Sequence, residues 1–156
     1  MNIFKNKTFQ IILSFIFIIV VAGLGSLFVT LGMNWFNGLV KPSQWIPNVV
    51  IPIVWTIIYS LFAIVNFLWI KNEGLPKSVL IFMILNGIFN ILWCLTFFTL
   101  KLLFIGNIVI ILNLILAFLL IFEIAKFKKI YSYVLAIYPV WISIATTLNL
   151  ALWILN

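Results

Sequence analysis

The chain has 156 residues, of which 67% are hydrophobic and only 7% are charged. A water-soluble domain cannot hide that much apolar surface, because its exterior must carry polar groups. The net charge of +7 comes from lysines spread among short segments, and the sequence contains no arginine. We therefore expect no nucleic-acid interface and predict an integral membrane protein.

Lysines divide the chain into five long uncharged runs. Each run reaches the roughly 20 residues that a helix needs to cross the hydrocarbon core of a bilayer. The runs are continuously apolar, whereas the strands of a membrane barrel alternate apolar and polar residues. The sequence therefore predicts an all-α protein, a bundle of five transmembrane helices forming a single domain over residues 1–156. The spans are expected at about 8–32, 48–70, 78–99, 103–125 and 131–154.

The first apolar run has a second interpretation, because Lys5 and Lys7 before it are also typical of a secretory signal peptide. The run is, however, longer than the roughly 7–15 residues of a signal core, and it lacks a clear cleavage signal. We expect it to be retained as the first span.

The lysines also predict the topology. With five spans, the N-terminus and the segments 70–77 and 126–130 share one side, which carries seven of the nine lysines. The other side carries only Lys41 and Lys101. Because cytoplasmic loops are enriched in positive charge, the N-terminus is expected in the cytoplasm and the C-terminus outside. The lysine-only, Ile- and Asn-rich composition suggests an AT-rich bacterial genome, and hence a bacterial plasma membrane.

The segment between the first two spans is rich in proline. Pro52 is expected in the first turn of the second span, where its missing N–H costs least. Pro42 and Pro47 should hold the preceding loop stiff and extended. Trp45 lies in this loop. Two interpretations remain open, a lid over the bundle or a rigid connector with an interfacial tryptophan.

Three spans each carry a helical face that combines large rings with amide or hydroxyl groups. These faces should point into the bundle, because amides in hydrocarbon need partners. Ordinary helix packing and a ligand cavity explain them equally well, although Gly87 and Ala145 leave space beside the rings. The faces are Trp55, Tyr59, Phe62 and Asn66; Asn86, Asn90, Trp93 and Phe97; and Tyr138, Trp141, Ala145 and Leu148. Trp35, Trp69 and Trp153 lie near span ends and are expected in the interfacial belts.

Conventional catalytic groups are missing from the sequence, which has no histidine and no aspartate. Of the two acids, Glu73 lies in a loop, and Glu123 is expected to pair with Lys126 at the interface. Cys94 is the single cysteine. We therefore expect no metal site, no haem ligation and no acid–base catalysis. An enzyme of this sequence would have to take its reactivity from the ligand.

Several motifs resemble those of the translocator protein family, also called the tryptophan-rich sensory protein (TspO/MBR) or peripheral benzodiazepine receptor family. They are "KPSQWIP" at 41–47 with "VW" and "IYS" at 54–60, "LNGIFNILWCLTFF" at 85–98, and "YPVWISIATTLNLALWILN" at 138–156. The resemblance covers essentially the whole chain. It implies a five-helix bundle, often a homodimer, that binds tetrapyrroles such as protoporphyrin IX in a pocket under the first loop. It also implies binding of isoquinoline carboxamide and benzodiazepine-type ligands, with no covalently bound cofactor.

The resemblance assigns ligand-binding roles to ten residues. They are Trp45, Trp55, Tyr59, Asn86, Phe89, Asn90, Trp93, Trp141, Ala145 and Leu148. Two departures from the family pattern stand out. The loop tryptophan is shifted by one place, with Gln44 at the usual position. The sterol motif of the last helix lacks its tyrosine and basic residue in segment 148–152, so cholesterol binding loses support.

Three functions follow from the resemblance. The first is a membrane receptor or sensor of tetrapyrroles. The second is a light-dependent porphyrin-degrading enzyme, as some bacterial members of the family are, with Trp141 as electron donor to the excited porphyrin. The third is a porphyrin or lipid transporter, for which the sequence offers no deeply buried ionisable residue that could couple to protons.

Overall fold

The computed structural model describes residues 6–43 and 45–156, and this part of the chain contains helices and no strand. Lys5 and Gln44, on which the topology count and the shifted loop motif partly rest, lie outside the described residues. The helices are α1 (Lys7–Asn37), α2 (Val50–Asn72), α3 (Lys77–Cys94) with a π-helical continuation at Leu95–Thr99, α4 (Leu103–Phe127), α5 (Lys129–Leu135) and α6 (Ile137–Leu155).

The helices form five membrane-spanning segments, of 31, 23, 23, 25 and 27 residues in chain order. Each is at least as long as the roughly 20 residues that a bilayer core requires. Their outward surfaces carry large apolar side chains such as Ile19, Phe122 and Ile154, which only hydrocarbon solvates without cost. The predicted fold, an all-α bundle of five transmembrane helices, is confirmed, and the protein is an integral membrane protein.

Glycines allow the backbones of neighbouring helices to approach closely. A Cβ atom on Gly32 of α1 would collide with the backbone carbonyl of Phe98. A Cβ atom on Gly106 of α4 would lie 3.0 Å from the Cβ of Phe97. Small residues are the usual means of close helix packing in membranes. Helices α1 and α4 therefore both pack closely against the end of the third span.

The third span ends in a π-helical segment, Leu95–Thr99, in which the N–H of Leu100 donates to the carbonyl of Leu95 at 2.9 Å. The wider turn accommodates one extra residue, and it places both Phe97 and Phe98 in the interior. The hydroxyl of Thr99 donates to the carbonyl of Phe28 and so fastens this segment to α1. The spacing in the sequence predicted the inward position of Phe97 but not that of Phe98.

The fifth span is interrupted at Ala136, between α5 and α6. Pro139 follows three residues later, and its ring has no N–H to donate to the carbonyl of Leu135. The sequence predicted a span at 131–154. The structure divides this span into two consecutive helices, and Tyr138 lies just after the break.

One end of the bundle is held by charged side chains. The Lys7 ammonium donates to the carbonyls of Lys71 and Asn72, at 3.1 and 2.9 Å. Lys128 pairs with Glu73. These contacts bring the start of α1, the α2–α3 turn and the α4–α5 junction to the same end, as five spans require. The expected pair between Glu123 and Lys126 is also present, at 2.6 Å.

Trp69 does not lie in an interfacial belt, and that prediction was wrong. Its side chain is only 2% exposed and packs against Tyr131, with ring centroids 5.4 Å apart. Helix α5 packs against this end of α2, and together they enclose the indole. Trp153, in contrast, is 43% exposed.

The close approach at Gly32 gives a stability prediction. Gly32→Val should destabilise the bundle by about 1–3 kcal/mol, because the new side chain must displace the backbone of Phe98. Thermal unfolding in detergent measures the effect. Gly23→Val, on the same helix, is the matched control, since a Cβ there meets nothing within 4 Å. Equal shifts for the two variants would show that the contact at Phe98 is not tight.

Candidate functional site

Two cavities in the described part of the bundle contain most of the predicted ligand-binding residues. The one under the loop at 38–49 is called here the upper cavity, and six of the ten predicted ligand-binding residues line it. These are Trp45, Trp55, Trp93, Trp141, Ala145 and Leu148. The second, called the lower cavity, lies deeper between α1, α2 and α3, and three further predicted residues line it. These are Tyr59, Asn86 and Asn90. Phe89 is half-buried and lines neither cavity.

The side chain of Trp45, which belongs to the loop, forms the wall of the upper cavity on that side. Its ring packs on Phe36, with centroids 5.6 Å apart, and its indole N–H donates to the side-chain oxygen of Asn48 at 2.9 Å. The Lys41 ammonium lies 5.0 Å from the centre of the Phe36 ring, a cation–π distance. The same ammonium donates to the last carbonyls of α1. The loop tryptophan is therefore held in one place, as a lid requires.

The loop is also joined to the last residue of the chain. The backbone N–H of Val40 donates to the Asn156 side-chain oxygen at 2.9 Å, and the Asn156 amide donates back to the Val40 carbonyl at 3.0 Å. The end of α6 thus fixes the start of the loop directly above the cavity.

The wall of the upper cavity is a continuous set of aromatic rings. Trp93 is central to it, with ring centroids 6.4 Å from Trp55, 6.3 Å from Phe97 and 5.9 Å from Phe98. Flat aromatic ligands stack well on such surfaces. Phe36 and Phe98 were missed from the sequence, since α-helical spacing predicts neither. Leu152 was also missed, although it continues the Trp141, Ala145 and Leu148 stripe.

Three polar atoms in the upper cavity wall lack a partner within the described part of the chain. They are the indole N–H groups of Trp93 and Trp141 and the side-chain oxygen of Asn149. The two indoles are only 6% and 7% exposed. Leaving a buried donor unpaired costs about 1–3 kcal/mol. The cavity therefore offers two donors and one acceptor that a bound molecule could satisfy.

Rings separate the two cavities. Trp55 of the upper cavity stacks on Tyr59 of the lower one, with centroids 5.5 Å apart and planes at 24°. Tyr138 closes the same partition from α6, with its centroid 6.4 Å from that of Trp55. The residues that sequence spacing placed on shared helical faces are therefore divided between two spaces.

Both cavities are small, at about 50 Å³ each. Pockets for drug-sized ligands typically measure roughly 300–1,000 Å³. The volume of the upper cavity is thus much smaller than that of a tetrapyrrole, and its occupation by a large ligand requires the loop and the rings to move apart.

Metal chemistry has no candidate in the described part of the chain, where no three histidine, cysteine or acidic side chains come together. Cys94 is buried and free. The chemistry that the site offers is therefore that of rings, amides and indole N–H groups.

Comparison with known proteins agrees with the motifs. A family model described as the TspO/MBR family matches residues 13–154. The chain is 29% identical to "Tryptophan-rich protein TspO" of Bacillus cereus, over 79% of this chain and 81% of that protein. It is 32% identical to "Tryptophan-rich protein TspO" of Chlorobaculum tepidum, over 85% and 86% of the two chains. It is 30% identical to "Protein CrtK" of Rhodobacter capsulatus, over 78% of each.

The matched segment includes every helix from early in α1 to the end of α6, and with it the loop tryptophan and both cavities. This protein belongs to the TspO/MBR family.

Proposed function

We propose that this protein is a membrane receptor that binds tetrapyrroles, such as protoporphyrin IX, in the upper cavity beneath the Trp45 loop. Isoquinoline carboxamide and benzodiazepine-type molecules would compete for the same space. The observation that carries the proposal is the pair of buried, unpartnered indole N–H groups in a ring-lined cavity. The family resemblance supplies the ligand class.

The chemistry of a tetrapyrrole matches that of the cavity wall. Its flat macrocycle would stack on the Trp93 cluster, which excludes water from the face in contact. Its propionate or carbonyl oxygens would accept from the indole N–H groups, and its pyrrole N–H groups would donate to Asn149. The Lys41 ammonium stands at the loop, where its long contacts of 3.3 and 3.4 Å are easily exchanged for a carboxylate.

Entry requires the loop at 38–49 to lift, because the closed cavity is too small. The contacts to be released are those of Trp45 with Phe36 and Asn48, those of Val40 with Asn156 and those of Lys41 with the end of α1. The hydrogen bonds among them lie at the loop end of the bundle, where water can replace them. The apolar helix contacts beneath the loop need not break.

The proposed orientation places the N-terminus in the cytoplasm and the Trp45 loop on the outer face of a bacterial plasma membrane. The support is the lysine excess at the end that holds Lys7, Lys71 and Lys128. Labelling of single cysteines introduced at Lys77 and at Ser43 of a Cys94→Ala background, with a membrane-impermeant maleimide on intact cells, distinguishes the two faces. Labelling at position 77 alone would reverse the assignment.

A test of the binding proposal is Trp93→Phe, which keeps a ring and removes one indole N–H. Affinity for protoporphyrin IX in the dark should fall about tenfold, the value of a hydrogen bond to a charged acceptor. Titration of porphyrin absorbance on purified protein measures it. Trp153→Phe is the control, because Trp153 packs against Phe104 outside the cavity. Unchanged affinity in Trp93→Phe, or an equal loss in both variants, contradicts this site.

A second candidate function is light-dependent degradation of the bound tetrapyrrole, favoured by the place of Trp141 in the cavity wall. The excited macrocycle would take one electron from the Trp141 indole, which leaves an indole radical cation and a tetrapyrrole radical anion. Dioxygen would then add to a bridging carbon of the radical anion, and one electron would return from the adduct to the indole radical cation. The four-membered cyclic peroxide that results would open as its O–O bond and one C–C bond of the macrocycle break, which leaves two carbonyl groups on an open-chain tetrapyrrole and the indole restored. The step needs no acid, base or metal from the protein.

Trp141→Phe tests this second function, since phenylalanine is a far poorer electron donor. At saturating protoporphyrin IX under light, loss of the porphyrin bands should slow by at least about tenfold, a change of roughly 1.4 kcal/mol in the barrier. Binding in the dark should change no more than in Trp93→Phe. Illuminated absorbance spectra, with Trp153→Phe as control, measure both. Turnover at the original rate would remove Trp141 from the mechanism.

A further inference from the structure

The lower cavity has a different chemistry from the upper one. Its lining is apolar except for Tyr59, Asn86, Asn90 and Tyr138, and it lies at mid-span rather than under the loop. It is only partly enclosed. The half-buried side chains of Phe17 and Ile18 form its α1 side. Neighbouring exposed side chains on α3, Ile84 and Ile88, face the bilayer.

Asn86 lines this cavity and carries an acceptor without a partner among the described residues. Both hydrogens of its amide nitrogen have partners, the carbonyls of Phe82 at 2.8 Å and Leu116 at 3.1 Å. Those bonds fix the side chain between α3 and α4. The amide oxygen is buried and has no partner within the described residues. The side chain is 4% exposed, so water from outside the membrane does not solvate that oxygen.

Tyr59 supplies a hydroxyl group to the same cavity. Its oxygen accepts a long hydrogen bond, 3.5 Å, from the Asn90 amide. A phenol also carries a proton to donate. The cavity thus combines an acceptor with a weakly held donor. Of the other two polar side chains in the described wall, Tyr138 donates to Asn113, and the Asn90 oxygen accepts from the Cys94 thiol. A hydroxyl group is the simplest group that can both donate to an amide oxygen such as that of Asn86 and accept from a phenol such as that of Tyr59.

The volume and the lining of the lower cavity limit what else the bound molecule can contain. A volume of about 50 Å³ holds a hydroxyl group and a few methylenes, and excludes a macrocycle. A charged head group is excluded as well, because none of the described residues that line the cavity is charged. A pure hydrocarbon would leave the Asn86 oxygen unpaired at the usual cost of a buried polar atom.

We propose that the lower cavity is a second binding site, which takes the hydroxyl end of a slender aliphatic alcohol that enters sideways from the bilayer. The alcohol donates to the Asn86 oxygen and accepts from Tyr59, and its chain follows the Phe17 and Ile18 surface into the lipid. This site is separate from the tetrapyrrole site, because the Trp55, Tyr59 and Tyr138 rings lie between the two cavities.

The test uses the full chain in lipid nanodiscs with a dodecyl alcohol that carries a photoreactive diazirine in its chain. After irradiation, mass spectrometry should find saturable labelling on segments 17–21 and 83–90. Decanol should compete for it. The matching dodecyl methyl ether, which has no proton to donate, should label these segments no more than other lipid-facing ones.

Two variants locate the site. Asn86→Leu keeps the side-chain volume and removes the acceptor, so the alcohol should bind about threefold to tenfold more weakly. Val21→Phe fills the cavity and should abolish saturable labelling; normal thermal unfolding of either variant shows that it is folded. Ala145→Phe, which fills the upper cavity instead, should leave alcohol labelling unchanged while it abolishes porphyrin binding.

Other outcomes overturn the proposal. They are labelling spread evenly over all lipid-facing helices, equal labelling by the ether, unchanged affinity in Asn86→Leu, or loss of labelling in Ala145→Phe. Because the alcohol and the porphyrin are measured on the same variants, failure of one site is recorded independently of the other.

Discussion

Every polar group inside this bundle must find its partner in the protein, because the surrounding hydrocarbon offers none. That constraint requires each span to be a helix, and it requires a buried asparagine to lie beside a hydrogen-bond partner. Asn66 donates to Ser14 of α1 at 2.9 Å, and Asn86 donates to a carbonyl of α4. Apart from tyrosine, tryptophan and cysteine, the buried polar side chains in the described part of the chain are asparagine, serine or threonine, and none is charged. Amides therefore connect helices in the interior, while ion pairs lie at one end.

A few buried polar atoms are exceptions to this constraint, because they have no partner among the described residues. Trp93 and Trp141 each bury an indole N–H with no acceptor, although an apolar ring such as phenylalanine would fill the same place at no such cost. Such exceptions are expected where a protein sacrifices stability for function. Here they lie in the walls of the two cavities or close to them, and the proposals for both cavities rest on them. The π-helical segment serves the upper cavity in the same way, since its wider turn brings a second phenylalanine into the wall.

Much of this architecture could be predicted from the sequence, because it follows from composition and helical period. Uncharged runs of sufficient length predicted the five spans, and the spacing of Trp55, Tyr59, Asn86, Asn90 and Trp93 predicted inward faces. Which residues share one cavity could not be predicted, because period 3.6 assigns a face and says nothing about depth along the helix. Phe98 and the break at Ala136 were missed for a related reason. Both arise from local departures from α-helical geometry, which a regular period cannot represent. Trp69 was misplaced because its distance from a span end suggested an interface, while the packing of α5 buried it.

The π-helical turn at Leu95–Thr99 also affects how this protein is compared with its relatives. A π turn holds one residue more than an α turn, so it is equivalent to an insertion within a helix. A relative with a regular helix here would need a one-residue gap in its alignment to this chain. Without that gap, the residues after the turn would be paired with neighbours that face about 100° away. The contact of Gly106 in the next helix with Phe97 would then be assigned to the wrong pair of residues. Equivalent residues on either side of this turn should therefore be identified from helix contacts rather than by counting residues.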